Sequence, residues 1–240
     1  MTIYAIGDIH GHLDKLQGAH ELVEADRARE GTRDAALVHV GDLVDRGPDS
    51  AAVVGYLRDL ALQDPAIVVL RGNHDSMLLE FLRTRPGRWS ESRYLHPNIG
   101  GRATLASYGL PATASARVLH DKAQGAVPEE HRAFLDALPL HHRAGECLFV
   151  HAGIQPGVPL EDQTPADLMW IRDAFLFDTR EHGALVVHGH TPVTTVEHHG
   201  NRLAIDTGAG WDGPVSAVAI EGRDAWILTQ SGRQHVARLS

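Results

Sequence analysis

The sequence predicts an α/β architecture. Strand-like and helix-like stretches alternate through residues 3–82, short strand candidates separated by turn residues fill the chain beyond residue 147, and residues able to do chemistry sit where apolar runs end. The chain has 240 residues, enough for a full hydrophobic core, and is expected to form a single domain over 1–240.

Residues 3–6 are a short apolar run of strand length. Residues 13–29 then repeat apolar side chains at helical spacing, at Leu13, Leu16, Ala19, Leu22 and Val23. The order recurs, with a strand over 35–40 and a helix over 49–62 for which Asp49 or Ser50 is the expected cap. A third strand over 67–70 leads to a helix over 76–82. Such βαβ units form parallel sheets that hold ligands at the carboxyl ends of their strands.

From 83 to 125 the pattern loosens. Pro86, Pro97 and Pro111 and the glycines at 87, 100, 101 and 109 interrupt short helical pieces such as 102–108, so an insertion or cap over the site is expected. Residues 128–138 read as a helix with proline at its start. Cys147–Val150, Leu185–His188, 202–205, 215–220, 225–229 and 235–239 are strand candidates, expected to form a second, largely antiparallel sheet.

Composition excludes several classes. The formal charge is −9 with no long basic run, which argues against a nucleic-acid partner. The single cysteine, Cys147, cannot form an intramolecular disulfide and lies in an apolar run, as a core thiol would. No basic leader with an apolar core opens the chain and no apolar stretch is long enough to span a bilayer, so no membrane partner and a cytoplasmic location are expected.

Five motifs carry the chemistry. They are Gly7-Asp8-Ile9-His10-Gly11, Gly41-Asp42-Leu43-Val44-Asp45-Arg46-Gly47, Gly72-Asn73-His74-Asp75, His151-Ala152-Gly153 and His188-Gly189-His190-Thr191-Pro192. Any one alone is more often a turn or helix cap than a ligand. Five in order, each after an apolar run, are not explained that way. Asp8 and His10 alternate on an extended turn and can face one ion, and Asp42 arrives from the neighbouring strand end. Asn73, His151 and His190 complete a second site rich in nitrogen and oxygen. A bridging carboxylate between two cations about 3.5–4 Å apart would activate water and clamp phosphate oxygens. Imidazole and carboxylate donors without thiolates favour Mn, Fe or Zn.

This motif set resembles the phosphoprotein phosphatase branch of the calcineurin-like metallophosphoesterases, especially bacterial and phage enzymes similar to lambda phosphatase, over residues 3–208. The resemblance implies a calcineurin-like four-layer β-sandwich of two mixed sheets flanked by helices. It implies two divalent metal ions, Mn first, with Fe, Zn or Ni as alternatives. Asp8, His10 and Asp42 would bind the first, with Asp42 bridging, and Asn73, His151 and His190 the second. It further implies that Arg46 binds phosphate, that His74 supported by Asp45 is the general acid, and that Arg172, in Trp170-Ile171-Arg172, is a second phosphate-binding arginine. Thr191 and Pro192 stand where many diesterases of the superfamily carry a further histidine, as in phosphoprotein phosphatases.

Other residues are expected to play quieter parts. His188 is read as core or as a support to a ligand, and His12, His39, Asp75 and Asp206 as buried or capping groups. The pairs His141-His142 and His198-His199 are read as solvated and Trp170 as core, and residues 97–109 as a wall of the site.

The resulting expectation is a serine/threonine protein phosphatase of broad specificity, hydrolysing phosphate esters by direct attack of metal-bound hydroxide. Its substrates would be a phosphorylated protein or a small phosphoester. The alternative is a symmetrical diadenosine tetraphosphate hydrolase, a relative that commonly has alanine at the position of Asp45. An alkoxide leaves poorly and gains more from an oriented acid than a nucleotide does, so Asp45 tilts the reading toward phosphomonoesters. A phosphate-reading module without catalysis would show a lost ligand, and none of the six ligand positions is lost. The sequence carries no indication of oligomeric state.

Overall fold

Every residue of the first strand, β1 (Thr2–Ile6), is buried, as in a strand covered on both faces. The computed structural model, which describes residues 1–84 and 93–239, shows what covers it. The strands that follow are β2 (Leu37–His39), β3 (Ile67–Val69), β4 (His141–Ala144), β5 (Cys147–Val150), β6 (Leu185–His188), β7 (Glu197–His198), β8 (Arg202–Ala204), β9 (Ala217–Glu221), β10 (Asp224–Thr229) and β11 (Gly232–His235). They form two sheets, one in the order β11-β10-β9-β1-β2-β3 and one in the order β4-β5-β6-β8-β7.

Alternation along each strand assigns its two faces. Ile3 and Ala5 join Val38, Phe149, Leu185, Leu203, Val218 and Ile220 in a core between the sheets. Tyr4 and Ile6 belong instead to a core with Leu16 and Val23 of helix α1 (Leu13–Glu30) and Val53 and Leu57 of helix α2 (Ser50–Gln63). Beyond the second sheet, Leu148, Val150 and Val186 pack with Leu168 and Phe175 from the helices Pro165–Trp170 and Asp173–Leu176. The layers run helix, sheet, sheet, helix, as the resemblance implies. Each of these large aliphatic or aromatic side chains contributes about 1.5–3 kcal/mol on leaving water.

Both sheets are mixed. β1, β2 and β3 are mutually parallel, while β9 runs antiparallel to β1 with Tyr4 opposite Ala219. In the second sheet β5, β6 and β8 are parallel and only the edges, β4 and β7, are antiparallel. The expectation of a largely antiparallel second sheet is therefore corrected. Residues 151–184 form a long crossover that lets β6 run parallel to β5, and β9 to β11 extend the first sheet. A short apolar run does not reveal its neighbour in the sheet.

Local details differ too. The last strand is β11 rather than 235–239, because Thr229 pairs with Gly232 and the hairpin closes through Gln230 and Ser231. Asp49 stands at the N-cap of α2, one of the two expected positions, but its side chain makes no capping hydrogen bond, and the Ser50 hydroxyl accepts from the Asp45 amide at 3.1 Å. Helix α3 (Asn73–Arg83) starts earlier than expected, its first turn held by the Asp75 carboxylate, which accepts from the amides of Gly72 at 2.8 Å and Leu43 at 2.9 Å. Within the expected cap, helices Gly101–Ser107 and Ala116–Ala126 are formed, and residues 85–92, with Pro86 and Gly87, lie outside the described residues. Among the described residues no helix is long and apolar enough to cross a membrane.

This topology positions the site. Asp8 and His10 follow β1, Asp42 follows β2, Asn73 and His74 follow β3, His151 follows β5 and His190 follows β6. The parallel strands of both sheets thus deliver the motifs from their carboxyl ends.

Candidate active site

The turns that carry the motifs are conformationally costly. Among the described residues, six non-glycine residues have left-handed φ: His10 at 47°, Asp42 at 50°, Asp45 at 74°, Arg46 at 70°, His190 at 66° and Asp212 at 70°. Five of the six are motif residues, and each conformation costs on the order of 1 kcal/mol. Two glycines make the close approach of backbone to carboxylate feasible. A Cβ on Gly189 would collide with Asp8 Oδ1, and one on Gly72 would collide with Asp42 Oδ1.

Asp42 is at the centre. Its carboxylate lies 3.6 Å from His10 Nε2 and 3.3 Å from His151 Nε2, and it accepts from the His74 amide at 2.9 Å. Two donor groups share it: one with His10 and His74, the other with His151 and His190, with ligand atoms within 4.8 Å of one another. Asn73 Oδ1 lies 2.8 Å from both His151 Nε2 and His190 Nδ1. Asp8 stands outside these groups; its carboxylate accepts the His190 amide at 3.1 Å, tying the first sheet to the second.

The donor chemistry fits divalent cations. His10 Nδ1 donates to the Val44 carbonyl at 3.0 Å and His151 Nδ1 to the Val40 carbonyl at 2.9 Å, which leaves each Nε2 to present its lone pair or a second proton toward Asp42. His190 donates through Nδ1 to Asn73, and its buried Nε2 has no hydrogen-bond partner. Nitrogen and oxygen ligand atoms thus gather around one carboxylate, and the buried His190 Nε2 among them lacks a partner, an arrangement suited to bound cations.

Electrostatics agree. Burial alone would depress His151, yet Asp42 and Asp8 outweigh it and push its pKa up to about 10. Asp42 is held well below the usual carboxylate range because His151, His74 and His10 outweigh its burial. Asp8 is pushed well above that range by burial and by the Asp206 and Asp42 charges. Burial takes His10 well below its ordinary value, and burial with the His151 charge takes His190 down to about 3.

Beside this cluster lies a cavity of about 270 Å³ lined by Asp42, Arg46, Asn73, His74, Ile99, Trp170, Arg172, His190, Pro192 and Trp211. Arg46 donates to His10 Nε2, and its second terminal nitrogen lies 3.1 Å from His74 Nε2. His74 Nδ1 donates to Asp45 Oδ2 at 2.8 Å, while Asp45 Oδ1 accepts from Tyr94 at 2.8 Å and Thr104 at 2.6 Å. Burial lowers the His74 pKa, but the Asp42 charge and the Asp45 contact outweigh it and leave it raised. A larger cavity of about 400 Å³, lined by Leu79, Leu82, Arg132 and Asp136 among others, holds none of the motif residues.

The described residues also correct several readings. Trp170, expected in the core, packs against it but is only half-buried and also lines the cavity. His198, expected in solvent, is buried with Nε2 donating to the Arg223 carbonyl at 2.8 Å. His188, by contrast, is buried with its ring edge on Phe175, as a core group would be. Asp206 is buried, as expected, and accepts from the Gly208 amide at 2.9 Å, and its charge also reaches Asp8. Tyr94 and Trp211 were missed. The signal for Trp211 was present: Asp206-Thr207-Gly208-Ala209-Gly210-Trp211 follows an apolar run, as the recognised motifs do.

A family model described as calcineurin-like phosphoesterase matches residues 1–211. The chain belongs to the calcineurin-like phosphoesterases. As a member, it is a metal-dependent phosphoric ester hydrolase, of a family that binds divalent metals in pairs. It is 28% identical to a symmetrical bis(5'-nucleosyl)-tetraphosphatase of Nitrosospira multiformis, over 93% of this chain and 94% of that protein. It is 33% identical to a protein of the same name from Methylococcus capsulatus, where the match spans 65% of this chain but only 44% of the relative. An asymmetrical bis(5'-nucleosyl)-tetraphosphatase of Bacillus thuringiensis is 25% identical over 89% of this chain and 88% of its own length.

The fold recurs in a cold-active protein tyrosine phosphatase, with a TM-score of 0.69, 17% identity and coverage of 99% of this chain and 79% of the other. It recurs in a protein provisionally assigned as a diadenosine tetraphosphatase, with a TM-score of 0.66, 21% identity and coverage of 95% and 92%. One calcineurin-like scaffold thus carries different names, and the scaffold does not choose the substrate. These curated relatives are named tetraphosphatases, so the family is shown while the narrower likeness to lambda-type protein phosphatases is not.

Proposed function

We propose that this phosphoesterase hydrolyses dinucleoside tetraphosphates. The observation that carries the reading is the end-to-end match to the Nitrosospira protein, 94% of whose length is covered and whose name states that substrate and a symmetrical cut. The site is compatible with it, since two arginines and a metal-suited cluster share one cavity.

Asp8, His10 and Asp42 would hold one divalent ion and Asn73, His151 and His190 the other, with Asp42 common to both and Mn the first choice. Bound there, such ions supply Lewis-acid charge and a water of lowered pKa. Arg46 and Arg172 hold nonbridging phosphate oxygens, a contact their planar guanidinium groups make through paired hydrogen bonds. His74 gives the proton on Nε2 to the departing oxygen, while Asp45 holds Nδ1 and stabilises the charged ring.

A second reading is favoured by that Asp45–His74 contact. An oriented acid is most valuable when an alkoxide departs, so a phosphoserine or phosphothreonine substrate stays in contention. The two readings separate in one assay. The Mn-loaded protein is offered diadenosine tetraphosphate beside a phosphopeptide panel, with products resolved by chromatography. Two nucleoside diphosphates from each tetraphosphate support the first reading; phosphopeptide hydrolysis with the dinucleotide intact overturns it in favour of the second.

A further inference from the structure

Trp211 is expensive where it stands. It is 58% exposed, one of the few large apolar side chains among the described residues left in water, and it lies outside all five motifs. Its backbone, by contrast, is pinned. Trp211 closes a short 3-10 turn, Ala209–Trp211, and its amide donates to the Gly208 carbonyl at 2.8 Å. Lys15, from α1, donates to the carbonyl of Ala209 within the turn at 3.2 Å and to that of Gly213 just beyond it at 2.8 Å. The turn also sits directly on the site, since a Cβ on Gly210 would meet Arg46 and His10. A pinned backbone that holds an indole out in solvent is how a protein presents a contact surface.

The surface faces a defined neighbour. The Arg46 guanidinium lies 4.6 Å from the indole centroid, a cation–π contact that occupies one face of the ring, and Trp211 lines the cavity alongside Arg46, His74 and Arg172. The large exposure leaves the outer face free. Trp170 lines the same cavity but is half-buried and has Arg93 at 5.1 Å over its ring, so it offers less open surface.

We infer that the open face of Trp211 stacks on the nucleobase of a nucleoside diphosphate whose phosphates lie in the Arg46 cavity, making Trp211 a specificity-determining residue. The inference rests on the tetraphosphatase reading and sharpens it, because it explains how a cavity built for phosphate distinguishes a nucleotide from any other phosphate ester. A purine presents a flat π-face of indole size, and such stacking is tolerant of base identity.

The test compares binding, so it does not depend on turnover. Calorimetry on the metal-loaded protein measures dissociation constants for adenosine diphosphate and for inorganic pyrophosphate, which lacks the base. In Trp211→Leu, which keeps apolar bulk but loses the planar face, the preference for the nucleotide over pyrophosphate should shrink about tenfold, and Trp211→Phe should restore part of it. An unchanged preference, or equal weakening of both ligands, overturns the inference, the second because Trp211 would then act only through Arg46. If the preference depends on Trp211 but diadenosine tetraphosphate is not cleaved, the base contact stands and the proposed reaction falls. Cleavage with an unchanged preference has the reverse meaning.

Discussion

Two fully buried histidines in this protein, His151 and His39, have opposite electrostatic fates. Around Asp42, His151 is fully buried and its pKa rises to about 10. Some residues away, His39 is equally buried on β2, its Nε2 2.8 Å from His20 Nε2, with Tyr56 2.9 Å from His20 Nδ1, and the pKa values fall to about 3 for His39 and about 4 for His20. Burial is the largest influence on each of the three and always disfavours the charged ring. What separates them is the company: carboxylates at Asp42 and Asp8 for His151, and only neutral partners or a cation for the pair. His151 is therefore held charged while the His20–His39 pair stays neutral, and for these three rings the carboxylates decide which; His10 and His190, also beside Asp42, stay depressed because burial wins there.

The sharpest way to break this comparison is Asp42→Asn, which should have the largest effect. Without that charge, the His151 pKa in chelator-treated protein should drop from about 10 toward the values of His39, read from histidine ring resonances. The metal-loaded enzyme should lose activity beyond the ~10²-fold that removing a mere support of a ligand costs, with both metals depleted in elemental analysis. A His151 still charged near pH 9 would mean that Asp42 is not the cause.

Next in size is His74→Asn, which removes the proposed donor and leaves the six proposed ligands in place. Turnover on an alkyl phosphomonoester should fall by about 10² to 10⁴, and by much less on an activated aryl phosphate whose leaving group needs little protonation. Equal losses on both, with metal content intact, would assign His74 to holding phosphate.

The smallest effect concerns the neutral pair. A histidine whose folded pKa lies below its unfolded value takes up its proton in the unfolded chain first, so the stability it contributes is present above about pH 6.5 and is lost as pH falls toward 4. Asp75, raised to about 7 chiefly by burial, works in the opposite direction, so the pair must be isolated by comparison. Between pH 6.5 and 4.5 the wild-type Tm should fall further than that of a His20→Phe/His39→Leu variant. Parallel curves would show that the pair titrates normally in the folded chain.

Read from residues alone, His39 and His151 look alike: each lies at or just after a run of apolar residues, and neither neighbourhood in sequence contains its decisive partner. His151 meets Asp42 and Asn73 only because β2, β3 and β5 end at the same rim. For the same reason Tyr94 was not legible. Its hydroxyl reaches Asp45 across 49 residues of chain, and nothing local marks it. The motif residues were legible because they carry their own geometry: glycines where backbone passes a carboxylate, and polar groups at the ends of apolar runs.

By itself, then, the sequence determined the α/β alternation, the strand-end placement of the five motifs and the donor types that suit divalent metals, since these depend on periodicity, local sterics and side-chain chemistry within a few residues. The pairing of strands was decided only in three dimensions, where β9 to β11 joined the first sheet and β5, β6 and β8 became parallel. So were the charges of the buried histidines and the exposure of Trp211. A strand's neighbour, a buried group's charge and a side chain's access to water each depend on segments far away in the chain, and local composition holds no record of them.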